Sequence, residues 1–184
     1  MAFRIWTAEW KSPIGRLFLA HSGAGLSMIL YVEKYKGQAA DFLRSELAKR
    51  FGPVELIKDR DYLSEALGYL ELYFKNPAGS SPYQGKLDPG GTSFQRRAWK
   101  CLKEIPAGKV LTYGQVSRRM GQPKAARAVG GACATNPLPI IIPCHRVVGS
   151  GGQMVGFGLG LEIKERLLKA EGWRREGWRL EAGG

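Results

Sequence analysis

Residues 77–93, PAGSSPYQGKLDPGGTS, hold ten glycines, prolines and serines in seventeen positions. Proline has no N–H to give a helix or a ladder, and glycine loses the most freedom on being ordered. No helix or central strand can cross such a stretch, so regular structure must be built separately on its two sides. A chain of 184 residues is long enough for two small cores. The expected division is residues 1–88, a linker end at 89–92, and residues 93–184.

The first side alternates at residues 3–9 (FRIWTAE) as a half-buried strand does. Two further strands, RLFLAHS (16–22) and LSMILYVE (26–33), flank a Gly-Ala-Gly turn, where His21 is expected to be exposed. Ala39, Phe42, Leu43, Leu47 and Ala48 fall at helical spacing and predict a helix over 37–51, stopped by Gly52-Pro53. A second helix is expected over 64–74, ending before Asn76-Pro77.

The second side opens with Ser93-Phe94-Gln95-Arg96, a helix start, and puts Phe94, Ala98, Trp99, Leu102 and Ile105 on one face. Cys101 belongs to the same apolar helix and is expected in the core. Thr112 is placed to cap a helix that Gly121 ends, and Pro123 suits the first position of the next. Two short helices about a tight turn have the form of a helix-turn-helix. The second, KAARAVGGA, surrounds Arg127 with small residues, a surface suited to close approach of a partner or of another helix. A buried extended segment turning at Pro143 follows. Next come a Gly-rich loop, GFGLG, and a closing helix over 161–171 stopped by Gly172. The loop lacks the Lys-Ser/Thr ending of a phosphate-binding loop. Residues 173–184 (WRREGWRLEAGG) are expected to be loosely ordered.

Charge divides as unevenly as structure. Residues 1–92 carry 12 Lys/Arg against 10 Asp/Glu, and residues 93–184 carry 16 against 6. A basic second half points to a polyanion, most often nucleic acid. No run of 18 apolar residues suggests a membrane span, and MAFRIWTAEWKS lacks the apolar core of a signal peptide. Three cysteines without a CxxC pair, and two histidines, disfavour a disulfide framework or a zinc site. They fit a reducing, intracellular compartment with a free thiol.

Within IIIPCHRVV (140–148), Cys144 stands beside His145 between two apolar runs. Taken alone, the pair fits core packing, a metal corner, or a nucleophile with its base. A thiolate is a strong nucleophile, but a free thiol is mostly protonated at neutral pH and needs a base.

The string as a whole narrows these alternatives. FQRRAW, IPAGKVLTYGQ, PKAARAVG, NPLPIIIPCHRVV and LLKAEG, in that order over residues 93–172, resemble the O6-alkylguanine-DNA alkyltransferases. SPIGRLFLA resembles the family's N-terminal domain less specifically. The resemblance implies an α/β (α+β) fold. A small N-terminal antiparallel sheet with helices, RNase H-like, would precede a mostly helical, winged helix-turn-helix-like domain.

It also implies roles. Cys144 would accept the alkyl group, His145 would deprotonate it through a water, and Glu171 would orient His145. Asn136 would hold the turn joining the DNA-binding helix to the active-site segment. Arg127 would fill the gap left by a flipped nucleotide. Tyr113 would help turn the nucleotide out and give a proton toward O6, with Lys164 a possible second donor. Gln122, Ser150 and Gln95 would join Arg127 and Tyr113 in contacting DNA. Val147, Val148, Phe157, Gly158, Leu159, Cys133 and Pro139 would form the substrate pocket.

The implied partner is double-stranded DNA containing O6-alkylguanine, bound in the minor groove by a monomer. The reaction would be single-turnover repair, possible also on O4-alkylthymine, without metal or cofactor. The protein would be cytoplasmic, or nuclear in a eukaryote. Departures touch substrate range. Leu159 stands where the family commonly has Gly, Gly158 where some members have Ser, and Phe157 where Tyr is common. The zinc site of some relatives is not supported. The main alternative is a non-catalytic alkylguanine-sensing DNA-binding protein, against which Cys144 argues. A transcription regulator would need base-reading side chains that AARAVGGA does not offer, and a cysteine hydrolase would turn over repeatedly.

Overall fold

A computed structural model describes residues 2–174 and divides the chain into two compact units. The first comprises Met1–Lys75 with Tyr83–Gly90, and the second Asn76–Pro82 with Gly91–Gly184.

The first unit is built on a sheet of four strands: β1 (Phe3–Ser12), β2 (Gly15–His21), β3 (Leu26–Tyr31) and, after a helix, β4 (Val54–Lys58). The order is β3-β2-β1-β4. β1, β2 and β3 pair antiparallel, β2 and β3 across the expected Gly-Ala-Gly turn, in line with the antiparallel sheet that the resemblance implies. β4 lies parallel to β1, with Phe3 opposite Val54, and adds a strand not read from the sequence. VELIK is short and its alternation is confounded by a preceding proline, so only the pairing reveals it. Helix α1 (Ala39–Phe51) covers the sheet, burying Ala39, Leu43 and Leu47 against Ile5, Ala20, Leu30 and Val54. Gly52, at φ 72°, ends it in a conformation other residues adopt at a cost. Helix α2 (Ser64–Lys75) buries Ala66, Leu67, Leu70 and Tyr73.

Two expectations for this unit change. His21 is partly buried, with its ring edge-on to Tyr62 and its Nδ1 accepting from the Gly23 N–H. The Gly/Pro-rich stretch is no idle connector, because Tyr83 is buried and Leu26 exchanges backbone hydrogen bonds with Lys86 and Asp88.

The second unit begins with α3 (Ser93–Lys103), capped one residue earlier than the apparent start. Thr92 accepts from the Gln95 N–H, and the Gln95 side chain returns a bond to the Thr92 N–H. Strand β5 (Leu111–Thr112) leads into α4 (Tyr113–Arg119), where Thr112 and Gln115 repeat the same box. Helix α5 (Ala126–Ala134) starts later than expected. Pro123 sits in a turn closed by the Ala125 N–H on the Gln122 carbonyl rather than at the first helical position. Its fixed φ suits the second residue of a turn equally well. Trp99 Nε1 donates to the Ala132 carbonyl and ties α3 to α5.

Every residue from 138 to 149 is buried, but the segment is coiled rather than extended. The Ile142 N–H returns to the Leu138 carbonyl, and Ile140 takes φ +75°, costly for a β-branched residue. A single 3-10 turn, Cys144–Arg146, then leads into β6 (Val147–Val148), parallel to β5. Helix α6 (Leu161–Ala170) closes the unit, with Glu171 as its C-cap and Gly172 at φ 87° beyond. Trp173 is packed with Val110, Val148 and Leu168, so the tail is ordered at least to this residue. The remainder of the expected loose tail, residues 175–184, lies outside the described residues. Among those described, no helix is long and apolar enough to cross a membrane.

Candidate active site

A 3-10 turn has three residues per turn, so its successive side chains leave in three directions about 120° apart. In Cys144–Arg146 this separates thiol, imidazole and guanidinium while keeping them on one short piece of backbone. All three are buried.

Cys144 is met by Asn136, whose Nδ2 donates to Sγ at 2.9 Å and to the Ile142 carbonyl at 2.8 Å. Asn136 Oδ1 accepts from the Leu138 N–H at 3.0 Å, so the amide is locked in one orientation. Burial pushes the Cys144 thiol up to about 11, while the Asn136 hydrogen bond and the Lys164 charge pull it down. The resting sulfur is therefore a protonated thiol.

His145 is wholly buried and its Nε2 lies 2.9 Å from Glu171 Oε1. An ionised carboxylate only accepts, so Nε2 carries the hydrogen and Nδ1 presents its lone pair. Nδ1 is buried and has no hydrogen-bond partner among the described residues. Burial lowers the proton affinity of the imidazole below its ordinary value, against the pull of Glu171. Burial alone would raise the Glu171 carboxyl, but His145 and Arg146 hold it down at about 2. The pair thus rests as a neutral imidazole on a carboxylate.

Arg146 was not singled out in the sequence. Its Nε and Nη2 donate to the two oxygens of Glu171 at 2.9 and 2.8 Å. The available signal was physical: an arginine inside IIIPCHRVV cannot be buried without an anion. Gly108 is a second omission. At φ +73° an added Cβ would stand 2.8 Å from the Glu171 carbonyl oxygen, so only glycine lets the loop pass. Lys164 is fully buried, and its ammonium donates to the carbonyls of Val147, Val155 and Gly156. Those three carbonyls occupy its three N–H donors.

Tyr113 is the first residue of α4 and is partly buried. Burial and the nearby sulfurs of Cys133 and Cys144 push its phenol up to about 12, so it holds its proton. It lies close to α5 at Gly130, where an added Cβ would be 3.9 Å from the ring. Cys133 is buried late in α5, and its carbonyl accepts from the Asn136 N–H. Pro139 is buried and bridges to Ile142. Phe157 is partly buried, 6.1 Å from the His145 ring and edge-on. Val147 and Val148 are fully buried, Val148 within the core beside Trp173. Leu159 is partly buried and Gly158 exposed.

Arg127 on α5 and Ser150 after β6 are exposed, and Gln122 in the turn before α5 is partly so. Gln95 is engaged within the unit, its Nε2 on Thr135 Oγ1 and its Oε1 on the Thr92 N–H. Among the described residues no group of three His, Cys, Asp or Glu could hold a metal ion.

A family model described as 6-O-methylguanine DNA methyltransferase, DNA binding domain, matches residues 93–173. The chain is 42% identical over 168 residues to the methylated-DNA–protein-cysteine methyltransferase of Methanosarcina acetivorans, spanning 91% of this chain and 99% of that relative. The protein of the same name from Haemophilus influenzae is 36% identical, over 91% of this chain and 86% of its own. The Mycobacterium tuberculosis O6-methylguanine methyltransferase structure matches with a TM-score of 0.75 at 36% identity, over 91% of this chain and 92% of that one. OGT of the same organism, solved in complex with DNA, matches at 0.72 with the same identity and coverage.

Proposed function

This chain belongs to the methylated-DNA–protein-cysteine methyltransferase family, and on that footing we propose that Cys144 is the cysteine to which it transfers the alkyl group of O6-alkylguanine in DNA. The chain is a DNA-repair enzyme that acts on itself as acceptor. The observation that carries Cys144 is its setting. It lies next to a histidine backed by a buried carboxylate, with an amide donating to its sulfur.

The chemistry follows from the charge states. The thiol gives its proton to His145 through a water at Nδ1, and the imidazolium formed is stabilised by Glu171. Glu171 does not take the proton itself, being held at about 2 by the donors around it. The sulfur attacks the alkyl carbon, a C–S bond forms, and the bond from carbon to O6 breaks. Tyr113, a neutral phenol, supplies the proton that the departing guanine needs. The product thioether has no group beside it that would reverse the step, so each molecule acts once.

The lesion lies inside a base pair, and Cys144 is buried, so the nucleotide must be turned out of the helix to meet it. Helix α5 offers a nearly bare surface for close approach to the minor groove, with exposed Arg127 to fill the gap. Contacts of this kind bind backbone and shape rather than sequence, as repair requires. The reading carries binding as a monomer.

The test is intact and peptide mass after incubation with an O6-methylguanine duplex. One added methyl on the Cys144 peptide, absent in C144A, is expected. An unchanged mass with binding retained would turn the reading into that of a damage sensor.

A further inference from the structure

Arg146 lies within an unbroken buried stretch and is only 6% exposed. Its guanidinium grips Glu171 with two prongs, Nε to Oε2 at 2.9 Å and Nη2 to Oε1 at 2.8 Å. The remaining nitrogen, Nη1, donates to the Ile105 carbonyl at 2.6 Å, just beyond α3. Glu171 Oε1 is also the oxygen that meets His145 Nε2. One carboxylate oxygen therefore serves an imidazole whose charge changes and a guanidinium whose charge does not.

We infer that Arg146 is a positioning residue that aims Glu171 and shares its charge, and so sets the pH range over which His145 can take the Cys144 proton. The inference rests on the reading of Cys144 as acceptor and His145 as its base. An unshared buried carboxylate would hold imidazolium strongly, and a His145 already protonated at neutral pH could accept nothing. A carboxylate that also serves a permanent cation still fixes the tautomer and still stabilises imidazolium as it forms, but less in the resting state. The charges acting on the imidazole come from Lys164 in α6, from Glu171 at its C-cap, and from Arg146 in its own turn. The chain following α3 contributes the Ile105 carbonyl, and the Gly-rich loop the edge of Phe157. Lys164 is held by three carbonyls, whereas Arg146 is in direct contact with Glu171. The Ile105 carbonyl fixes the third prong, so the guanidinium cannot swing away when the charge on His145 changes.

The experiment follows the rate of methyl transfer from an O6-methylguanine duplex to Cys144, by mass, from about pH 5 to 9. Wild type, R146M and R146K are compared. In R146M the acid limb of the profile is expected to move up by about one pH unit. In R146K, which keeps the charge but loses the fork, the limb stays near its wild-type position and the rate falls at every pH. A folded R146M that loses activity evenly, with its limb unmoved, overturns the inference. If R146M does not fold, NMR titration of His145 decides. The chain has only His21 and His145, so H21Q completes the assignment. Wild-type His145 titrating at or above the ordinary imidazole range overturns the inference without R146M. Failure of wild-type Cys144 to gain a methyl group is a separate result, and it overturns the acceptor reading instead.

Discussion

The side-chain amide of Asn136 donates to the sulfur of Cys144 across 2.9 Å, from the end of α5 to the turn that carries the nucleophile. The same amide binds the Ile142 carbonyl and the Leu138 N–H. One side chain therefore shapes the coil of residues 136–142 and the state of the thiol.

Replacing Asn136 with Ala removes all three bonds; the Ile142 carbonyl keeps the Cys144 N–H, but the buried Leu138 N–H loses its acceptor. A loss of about 2 kcal/mol in urea unfolding is expected. The thiol, deprived of a donor, moves further up in pH. The alkylation rate of Cys144 with a small thiol reagent then needs a higher pH to reach its plateau. An unchanged pH dependence in folded N136A argues against the hydrogen bond to sulfur.

Acid should destabilise the protein through Glu171. The unfolded carboxyl takes its proton near 4.5 and the folded one only near 2. Between these values the unfolded state binds more protons. The stability contributed by Glu171 is therefore complete above about 4.5 and drains away as pH falls toward 2. Its size is on the order of 3 kcal/mol. His145 acts in the same direction at higher pH, because its lowered folded value lets the unfolded chain protonate first below 6.5. Urea midpoints should fall steeply in wild type as pH is lowered from about 7 to 3. E171Q should be less stable at pH 7 and show a flatter slope, and equal slopes would remove Glu171 as the cause.

Gly108→Ala tests the close approach of the loop before β5 to the C-cap of α6. The new Cβ meets the Glu171 carbonyl oxygen at 2.8 Å, in a backbone conformation at φ +73° that alanine also resists. A loss of about 2–3 kcal/mol is expected, with slower transfer to Cys144 because Glu171 is displaced. A G108A protein with wild-type stability would show that the loop can move aside freely.

Lys164→Met keeps the buried length of the side chain and removes its three donors. The Val147, Val155 and Gly156 carbonyls lose their partner. Stability should fall by about 2 kcal/mol, and amide exchange should quicken first in residues 153–158. Uniform exchange changes across the unit would mean that Lys164 does not specifically pin this loop.

Much was legible because local rules and tertiary demands agree. The alternating strands, the apolar spacing along α1 and α3, and the Thr112 cap of α4 are short-range patterns. So is the glycine at φ 87° after α6. Where two patterns were equally good locally, the structure decided. Pro123 satisfies a turn as well as a helix start, and the Ala125–Gln122 hydrogen bond selects the turn. Leu138–Ile142 reads as a strand by composition, yet the Asn136 amide and the Ile142–Leu138 hydrogen bond coil it.

The sequence by itself determined two separate regions of structure, a basic second half, and a thiol beside an imidazole within a family's ordered motifs. Only the tertiary structure decided which charges act on which. Cys144 and Asn136 are eight residues apart, His145 and Glu171 twenty-six, and Arg146 and Ile105 forty-one. Such pairings leave no periodic trace in a sequence. They form because a buried ion or polar group must find a partner, and the fold alone determines which one is within reach.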